Sequence, residues 1–283
     1  MPCARWLVAL VVLGASAWTP RAEAADYRRP GLEGAWNERH LTTPMNSLRL
    51  IAGPGQPVLL GDRVSDQIVE GGAQFIRSDA AGRVGDQWWF RGGVDFGLTE
   101  DWEAGAMFLP VKFAPDLELA NVTAFVTRGF RFEAWDFGLR LSFLTPGFRA
   151  YNLKAWALNP GVPVLVRAGP ARIDAGVFVP ITTSDGGVGL NAPVRATVNL
   201  GPRFFLGVET GFFEQRFDGS SKATLPLGAL AGYTDLFRNK VADITADFAW
   251  DDFYQPAPSA GRDAFELKRY RVGLGLVVHL LVR

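Results

Sequence analysis

The chain alternates short turns with longer polar loops from Trp88 to its last residue, Arg283, and the segments between them carry apolar residues at every second position. No two long loops and no two short turns follow one another. The turns are Thr99 to Asp101, Arg128 to Phe130, Gly169 to Ala171, Gly201-Pro202 and Thr234 to Asn239, and the loops are roughly 111–118, 145–161, 181–191, 214–222 and 252–267. This rhythm is typical of an up-and-down antiparallel barrel that crosses an outer membrane, with short turns on one side and long loops on the other.

Period-two alternation predicts about twelve strands from residue 66 onward. Most of them are close to the ~9–11 residues that a tilted strand needs to cross a bilayer. The predicted strands are 66–77, 88–98, 102–110, 119–128, 132–144, 162–169, 173–180, 192–200, 204–213, 224–233, 241–251 and 268–282. Because bacterial outer-membrane barrels have an even number of strands, we predict an all-β fold, an up-and-down antiparallel transmembrane β-barrel of about 12 strands.

Each predicted strand has one apolar and one polar face. In 135–143, Asp136, Gly138, Arg140 and Ser142 alternate with large apolar residues. Alternation alone does not say which face points inward, because a soluble barrel or sandwich has its large apolar residues inside. Tryptophan and tyrosine lie near the strand ends, where membrane-interface girdles place them. This placement favours an apolar face toward lipid and a polar face toward the lumen.

The first residues have the pattern of a cleavable export signal. Arg5 supplies a positive charge, Trp6 to Leu13 an apolar core, and Ala22-Glu23-Ala24 a small-x-small cleavage site. A buried N-terminal helix is the alternative. The only cysteine, Cys3, lies inside this signal, so we expect neither disulfides nor thiol chemistry in the mature protein.

The domain boundaries follow from where the strand pattern begins. We assign 1–24 to the signal peptide, 25–65 to an irregular periplasmic N-terminal arm, and 66–283 to the outer-membrane β-barrel. Within the arm, Asn46 to Ile51 could form a short strand, although Gly53-Pro54-Gly55 would break it. The arm could also lie in the barrel mouth.

One hairpin resembles known barrel families. The stretch from Gly93 to Pro110, GVDFGLTEDWEAGAMFLP, is similar to the aromatic-Gly-Leu-Thr-Asp/Glu-x-x-Glu-x-Gly turn of the outer-membrane family linked to phenol-degradation pathways and of related transporter-like barrels. The resemblance implies uptake of small, hydrophobic or aromatic molecules. Such barrels often end in an aromatic residue that the barrel assembly machinery reads. Here the chain ends Leu281-Val282-Arg283, and Arg271-x-Gly273-x-x-Leu276-x-Val278 partly resembles that signal a few residues earlier.

The predicted inner face carries charges of both signs, which has two interpretations. It is either a conduit that selects solutes or a ladder of salt bridges that fills a narrow barrel, since buried charges must be paired. Because pairing of these charges can close much of the space, a pore would be narrow, and because carboxylates exceed arginines on this face it would be mildly cation-preferring. The lumen-facing candidates are Glu70, Arg91, Asp95, Glu103, Asp136, Arg140, Arg167, Asp174, Arg195, Glu209, Asp243, Asp247, Arg271 and His279.

Enzymatic and metal chemistry find little support. A lipase-like site needs a serine, a histidine and an orienting polar residue on one face, and nothing in the sequence places Ser142 beside His279. Two histidines and no cysteine after the signal leave no transition-metal site with the usual ligands. Asp251-Asp252 with Asp263 could bind calcium, but they also fit solvated loop acids. We predict no catalytic residue, no metal and no cofactor.

The function that these observations favour is passive passage or uptake of small molecules, hydrophobic ones included, through a narrow pore in the bacterial outer membrane. The alternatives are a non-conducting barrel that binds a partner or ligand or helps to maintain the envelope, an outer-membrane enzyme, and a soluble secreted β-protein. The expected partners are outer-membrane lipid, the barrel assembly machinery and a small-molecule solute. A formal net charge of +0 argues against nucleic acid.

Overall fold

A computed structural model describes residues 35–52, 73–77, 87–90, 92–107, 111–114, 118–119, 122–144, 156–182, 187–214, 223–236, 240–256, 264–265, 267 and 270–282. The predicted signal peptide, the candidates Glu70 and Arg91, and Asp263 of the possible calcium site lie outside these residues.

The described residues form one antiparallel sheet of 17 strand segments and a short 3₁₀-helix, Trp36–Glu38. The segments are β1 (Ser47–Ala52), β2 (Ala73–Arg77), β3 (Gln87–Phe90), β4 (Gly93–Gly97), β5 (Trp102–Met107), β6 (Val111–Ala114), β7 (Glu118–Leu119), β8 (Thr123–Arg131), β9 (Trp135–Leu144), β10 (Ala157–Ala168), β11 (Ala171–Phe178), β12 (Ile181–Thr182), β13 (Leu190–Asn199), β14 (Phe204–Glu214), β15 (Leu225–Leu236), β16 (Lys240–Tyr254) and β17 (Tyr270–Leu281). Segments β1 and β2, β3 and β4, β5 and β6, β7 and β8, and β11 and β12 continue one another, so the wall is a closed 12-strand barrel.

The barrel closes between its first and last strands. β1 pairs antiparallel with the second half of β17, from Ala52↔Leu276 to Ser47↔Leu281, and β2 pairs with the first half. On their other edges β1 pairs with β4 and β2 with β3. The predicted all-β, up-and-down barrel of about 12 strands is confirmed.

The wall begins at Ser47, inside the segment that the sequence assigned to an irregular arm up to residue 65. β1 corresponds to the short strand considered at Asn46 to Ile51. Its burial alternates, with Ser47, Arg49 and Ile51 facing inward. The glycines and proline that argued against a strand come after Ala52, so they follow β1 and do not interrupt it.

The outer face is apolar and the inner face is polar. On β9, Leu139 is 54% exposed whereas Arg140 is 8% exposed; on β17, Leu274 is 62% exposed whereas His279 is 1% exposed. A soluble barrel would have the reverse polarity. The prediction that Leu139 and Leu274 lie on the outer face is confirmed, and the chain is a bacterial outer-membrane barrel. No helix in the described ranges is both long and apolar enough to span a membrane.

Aromatic side chains gather outside the end of the barrel where the short turns lie. Phe132 stacks on Trp135 with ring centroids 4.4 Å apart, and Phe204 lies 4.9 Å from Tyr233. Arg128 lies over the ring of Trp102. Aromatic rings with nearby cations are typical of the membrane–water interface.

Three short turns lie where the sequence predicts them, at 99–101, 169–171 and 201–202. Gly169 and Gly201 have φ of 57° and 103°, a backbone region that disfavours other residues. The turn predicted at Arg128 to Phe130 is wrong, because β8 continues to Arg131. The loop predicted at 111–118 is also wrong in part, because β6 occupies Val111–Ala114.

The start of β1 and the end of β17 meet at this short-turn end. Val282 N donates a hydrogen bond of 2.8 Å to the carbonyl of Asn46, the residue before β1. Asn46 has a positive φ of 58°, which asparagine tolerates better than most residues. The chain bends at Asn46, between the preceding residues and the first wall strand, β1.

Candidate functional site

Residues Trp36 to Pro44, which we call the lumen arm, lie inside the barrel. Trp36 contacts the side chains of Thr197 on β13 and Phe205 on β14. At the other end of the arm, Thr43 binds Glu103 on β5. Residues between them contact the strands on either side, so the arm crosses the lumen from one side of the wall to the other.

Trp36 is the apolar anchor of the arm. It is buried and stacks on Phe205 with ring centroids 4.2 Å apart and planes at 14°. Leu230 completes this small buried cluster. The indole Nε1 donates to Thr197 Oγ1 at 3.2 Å, and the Trp36 carbonyl accepts from Arg172 Nη1 at 2.9 Å. Both the apolar ring and the polar groups of Trp36 therefore have partners.

Arg39 is the electrostatic centre of the arm. Its guanidinium forms a two-pronged contact with the Asp243 carboxylate on β16, with Nη2 donating to Oδ1 at 2.7 Å and Nη1 paired with Oδ2. Asp243 also contacts His279 Nε2 at 2.7 Å and accepts from Thr234 Oγ1 at 2.8 Å. All four side chains are buried. A buried ion pair is stable only when such additional contacts satisfy the remaining atoms.

A second polar contact fixes the middle of the arm. Asp136 Oδ2 accepts from the Leu41 amide at 2.9 Å and lies 3.0 Å from His40 Nδ1. The same carboxylate binds both Nη atoms of Arg167 on β10, at 3.0 and 2.9 Å. Arg172 donates to the Arg39 carbonyl at 3.2 Å. Backbone groups of the arm thus bind charged side chains of the wall.

The arm leaves the lumen past Glu103 and Gly97. Glu103 Oε2 accepts from both the amide and the hydroxyl of Thr43, at 2.8 and 2.9 Å, and lies 3.8 Å from Arg49 Nη1. A Cβ added to Gly97 would come within 2.0 Å of the Pro44 carbonyl oxygen. Only glycine permits this close approach of the arm to β4.

Most sequence-predicted candidates lie in this interior. The buried ones are Asp95, Glu103, Asp136, Arg140, Asp174, Arg195, Asp243, Asp247 and His279, and the partly buried ones are Arg167 and Glu209. Glu70 and Arg91 lie outside the described residues, as does the side chain of Arg271. The arm brings together Glu103, Asp136, Arg167, Asp243 and His279. Arg195 and Glu209 instead pair with each other at 3.0 Å across β13 and β14.

Sequence reasoning missed four interior arginines, Arg39, Arg49, Arg131 and Arg172. Arg39 belongs to the arm and Arg49 to β1, where no barrel strand was predicted. Arg172 lies two residues before Asp174 on β11 and shares its inward phase, but it falls between the turn predicted at 169–171 and the strand predicted from 173. These arginines bring the positive and negative charges of the described interior close to balance. The predicted excess of carboxylates, and with it the basis for a cation preference, does not hold there.

The described interior does not assemble a hydrolase site. His279 is bound to Asp243 and lies 3.4 Å from Arg39 Nη1. Ser142 lies on β9, opposite Asn159 of β10, far around the wall from β17. No group of three or more histidine, cysteine or acidic side chains within the described ranges is arranged to hold a metal ion.

Comparisons with known proteins give only distant likenesses. No protein-family model and no curated protein matches the chain. Among solved structures, it is similar to the KdgM porin (9% identity, 72% of this chain and 95% of that chain, TM-score 0.48) and the NanC porin (12%, 72% and 97%, 0.47). It is also similar to the Escherichia coli outer membrane phospholipase A (11%, 85% and 94%, 0.43). The barrel assignment rests on the chain's own strand pairing and polarity.

Proposed function

We propose that this chain is an outer-membrane conduit for small solutes whose lumen is closed at the short-turn end by the lumen arm. Release of the arm opens the conduit. Outer-membrane barrels have short turns on the periplasmic side and longer loops outside the cell, so the closure would act at the periplasmic end.

One observation carries this proposal: the fully buried charged wall residues that bind the arm, namely Asp243, Asp136, Arg172 and Glu103, each also have a partner in the wall. Asp243 keeps His279 and Thr234, and Asp136 keeps Arg167. In the same way, Arg172 is bound to Asp174, and Glu103 lies close to Arg49. Removing one partner of a buried ion pair costs about 3–5 kcal/mol when the other charge is left alone. Here the wall charges would not be left alone, so the barrel is stable with the arm bound or released.

The contacts of the arm are mainly of a kind that water can replace. Apart from Trp36, the arm is held by hydrogen bonds and ion pairs, and a typical hydrogen bond stabilises the bound state by only about 0.5–1.5 kcal/mol net of hydration. Arg39 is the exception, since it must leave a buried carboxylate. We therefore place the main barrier to opening at the Arg39–Asp243 contact.

The solute is expected to be polar. Charged, amide and hydroxyl side chains outnumber apolar ones among the buried residues of the described interior, which suits polar solutes better than the aromatic molecules implied by the hairpin resemblance. The phenol-degradation family and the barrel assembly machinery as a partner stay predictions.

Single-channel recording in planar bilayers tests the proposal with the full chain, Arg39→Ala and Arg203→Ala. Arg203 is exposed at a turn outside the lumen, where it contacts Tyr233 and Asp235, so it is a matched control for loss of one arginine. The wild type should be closed most of the time. Arg39→Ala should raise the open probability about tenfold or more, because the lost charge-assisted contacts are worth about 1.5–3 kcal/mol. Arg203→Ala should behave as the wild type does.

The second candidate is a non-conducting barrel that binds a ligand or partner. The burial of interior polar side chains such as Thr123, Asn159 and Asp174 favours it, because these groups leave little described surface open to water. If Arg39→Ala is as silent as the wild type while both are folded, the conduit proposal is wrong and this function takes its place.

A further inference from the structure

Arg140 is a buried interior arginine with no charged partner among the described residues. It is 8% exposed, and its Nε and Nη2 atoms are buried without a hydrogen-bond acceptor. Its guanidinium lies over the Phe125 ring, 3.5 Å from the centroid. The attraction of a cation to an aromatic face offsets only part of the cost of burying an arginine.

The same barrel shows what these two atoms bind elsewhere. Arg172 uses its Nε and Nη2 to hold the Asp174 carboxylate, with Nε at 3.0 and 2.8 Å from its two oxygens and Nη2 at 2.7 Å from Oδ1. Nε and Nη2 form one edge of the guanidinium plane and match a carboxylate in a side-on fork. On Arg140 this edge faces no acceptor of the described protein.

A threonine hydroxyl and a side chain of the lumen arm lie next to Arg140. Thr127 lies directly opposite Arg140 in the β8–β9 register, and its Oγ1 is also buried without a hydrogen-bond partner. One inward position closer to the short turns, a Cβ on Gly138 would come within 2.9 Å of Leu41 Cδ2. Leu41 of the lumen arm therefore lies one inward position away from Arg140, on the side of the short turns.

We propose that Arg140, Thr127 and the Phe125 ring form a binding site for a small carboxylate solute, directly above the lumen arm. Nε and Nη2 of Arg140 would donate to the two carboxylate oxygens, and Thr127 Oγ1 would donate to one of them. The Phe125 ring, with its centroid 3.5 Å from the Arg140 Cζ, supports the guanidinium from one side. The inference rests on the proposed function, because the solute reaches this site through the lumen.

Asp95 is a competing anion beside the Phe125 ring. Asp95 Oδ1 and the Phe125 ring both lie close to Gly105, and a Cβ added to Gly105 would contact both of them. The carboxylate of Asp95 lies 4.0 Å from Arg49 Nη1, whereas it forms no ion pair with Arg140. Asp95 therefore lowers the affinity for a carboxylate without occupying the fork. Binding should accordingly be weak, as suits a solute that must also leave.

The test uses trifluoroacetate as probe, followed by ¹⁹F NMR on the folded full chain in detergent. We expect saturable binding to the wild type that acetate displaces. Arg140→Gln should weaken binding about tenfold or more, since it removes a charge-assisted fork. Arg203→Gln should bind as the wild type does, and Arg140→Lys should fall between wild type and Arg140→Gln, since it keeps the charge and loses the fork.

Two results would overturn the site. The first is equal binding by the wild type and Arg140→Gln. The second is no saturable binding to either the wild type or Arg39→Ala, in which the arm no longer restricts access. The recordings distinguish this failure from failure of the conduit. If Arg39→Ala conducts no current but Arg140-dependent binding persists, the conduit proposal is wrong and the binding site stands. If Arg39→Ala conducts current but shows no Arg140-dependent binding, the conduit proposal stands and the binding site is wrong.

Discussion

Arg39 and Gly97 hold the lumen arm by opposite means, one through a charge and the other through the lack of a side chain. Arg39 reaches from the arm into the buried Asp243–His279 pair of the wall. Gly97 lets the Pro44 carbonyl lie against β4. Two substitutions that share no chemistry should therefore have the same effect on the arm.

Gly97→Ala should displace the arm without removing a charge. The new Cβ would overlap the Pro44 carbonyl, and overpacking of this kind costs about 1–3 kcal/mol, which the arm can relieve by leaving the wall. We expect an increased open probability in planar bilayers, as for Arg39→Ala. Gly211→Ala is the control, because its Cβ would press on Ala192 and Phe213 of the wall and not on the arm. Equal currents from the two alanine variants would contradict a specific role of Gly97.

Leu139→Arg should destabilise the barrel because Leu139 lies on the lipid face in the middle of β9. An arginine near the bilayer midplane costs about 2–4 kcal/mol, whereas one near the interface costs about 0–1 kcal/mol. Phe132→Arg, at the short-turn rim, is therefore the matched control. Denaturant titrations in lipid vesicles measure both, and a cost for Leu139→Arg no larger than for Phe132→Arg would place β9 differently in the membrane.

At the scale of elements, the sequence predicts the long strands well and the first strand poorly. β9, β14 and β17 have long alternating faces, so their positions are readable from period alone. β1 is only Ser47–Ala52, and the other half of its wall position comes from β2. β1 and β2 are far apart in the sequence, so no continuous alternation of apolar residues joins them. They form one strand of the wall only because both pair with β17.

A disulfide tests whether β1 belongs to the wall. Leu50 and Val278 are register partners, and paired positions of neighbouring strands bring Cβ atoms to about 4.5–5.5 Å, close to disulfide geometry. With Cys3 replaced by serine, Leu50→Cys with Val278→Cys should cross-link on mild oxidation. Leu50→Cys with Leu274→Cys should not, since Leu274 pairs with Ala73. Mobility on denaturing gels shows the result, and cross-linking of the second pair alone would contradict the register.

At the scale of the whole molecule, the fold is encoded by patterns along the chain, and the closure is not. Alternation, turn spacing and girdle aromatics each repeat many times, so errors at single turns do not change the prediction of a barrel. The lumen arm depends on single long-range contacts, such as Arg39 with Asp243 and Thr43 with Glu103. The local sequence around Arg39 and Thr43 does not indicate that they bind Asp243 and Glu103. The predicted inward charges of the wall indicate only that each buried charge needs an oppositely charged or hydrogen-bonding partner.

The central claim is that the lumen arm closes the conduit, and a reversible tether between arm and wall tests it most directly. A Cβ on Gly129 would lie 3.5 Å from the Thr42 Cβ, within the range for a disulfide. Thr42→Cys and Gly129→Cys are combined with Arg39→Ala, with Cys3 replaced by serine, and single-channel current is recorded before and after reduction. The account predicts a closed channel when the disulfide is formed and frequent openings when it is reduced. Equal current in the two states, with the disulfide verified, would contradict it.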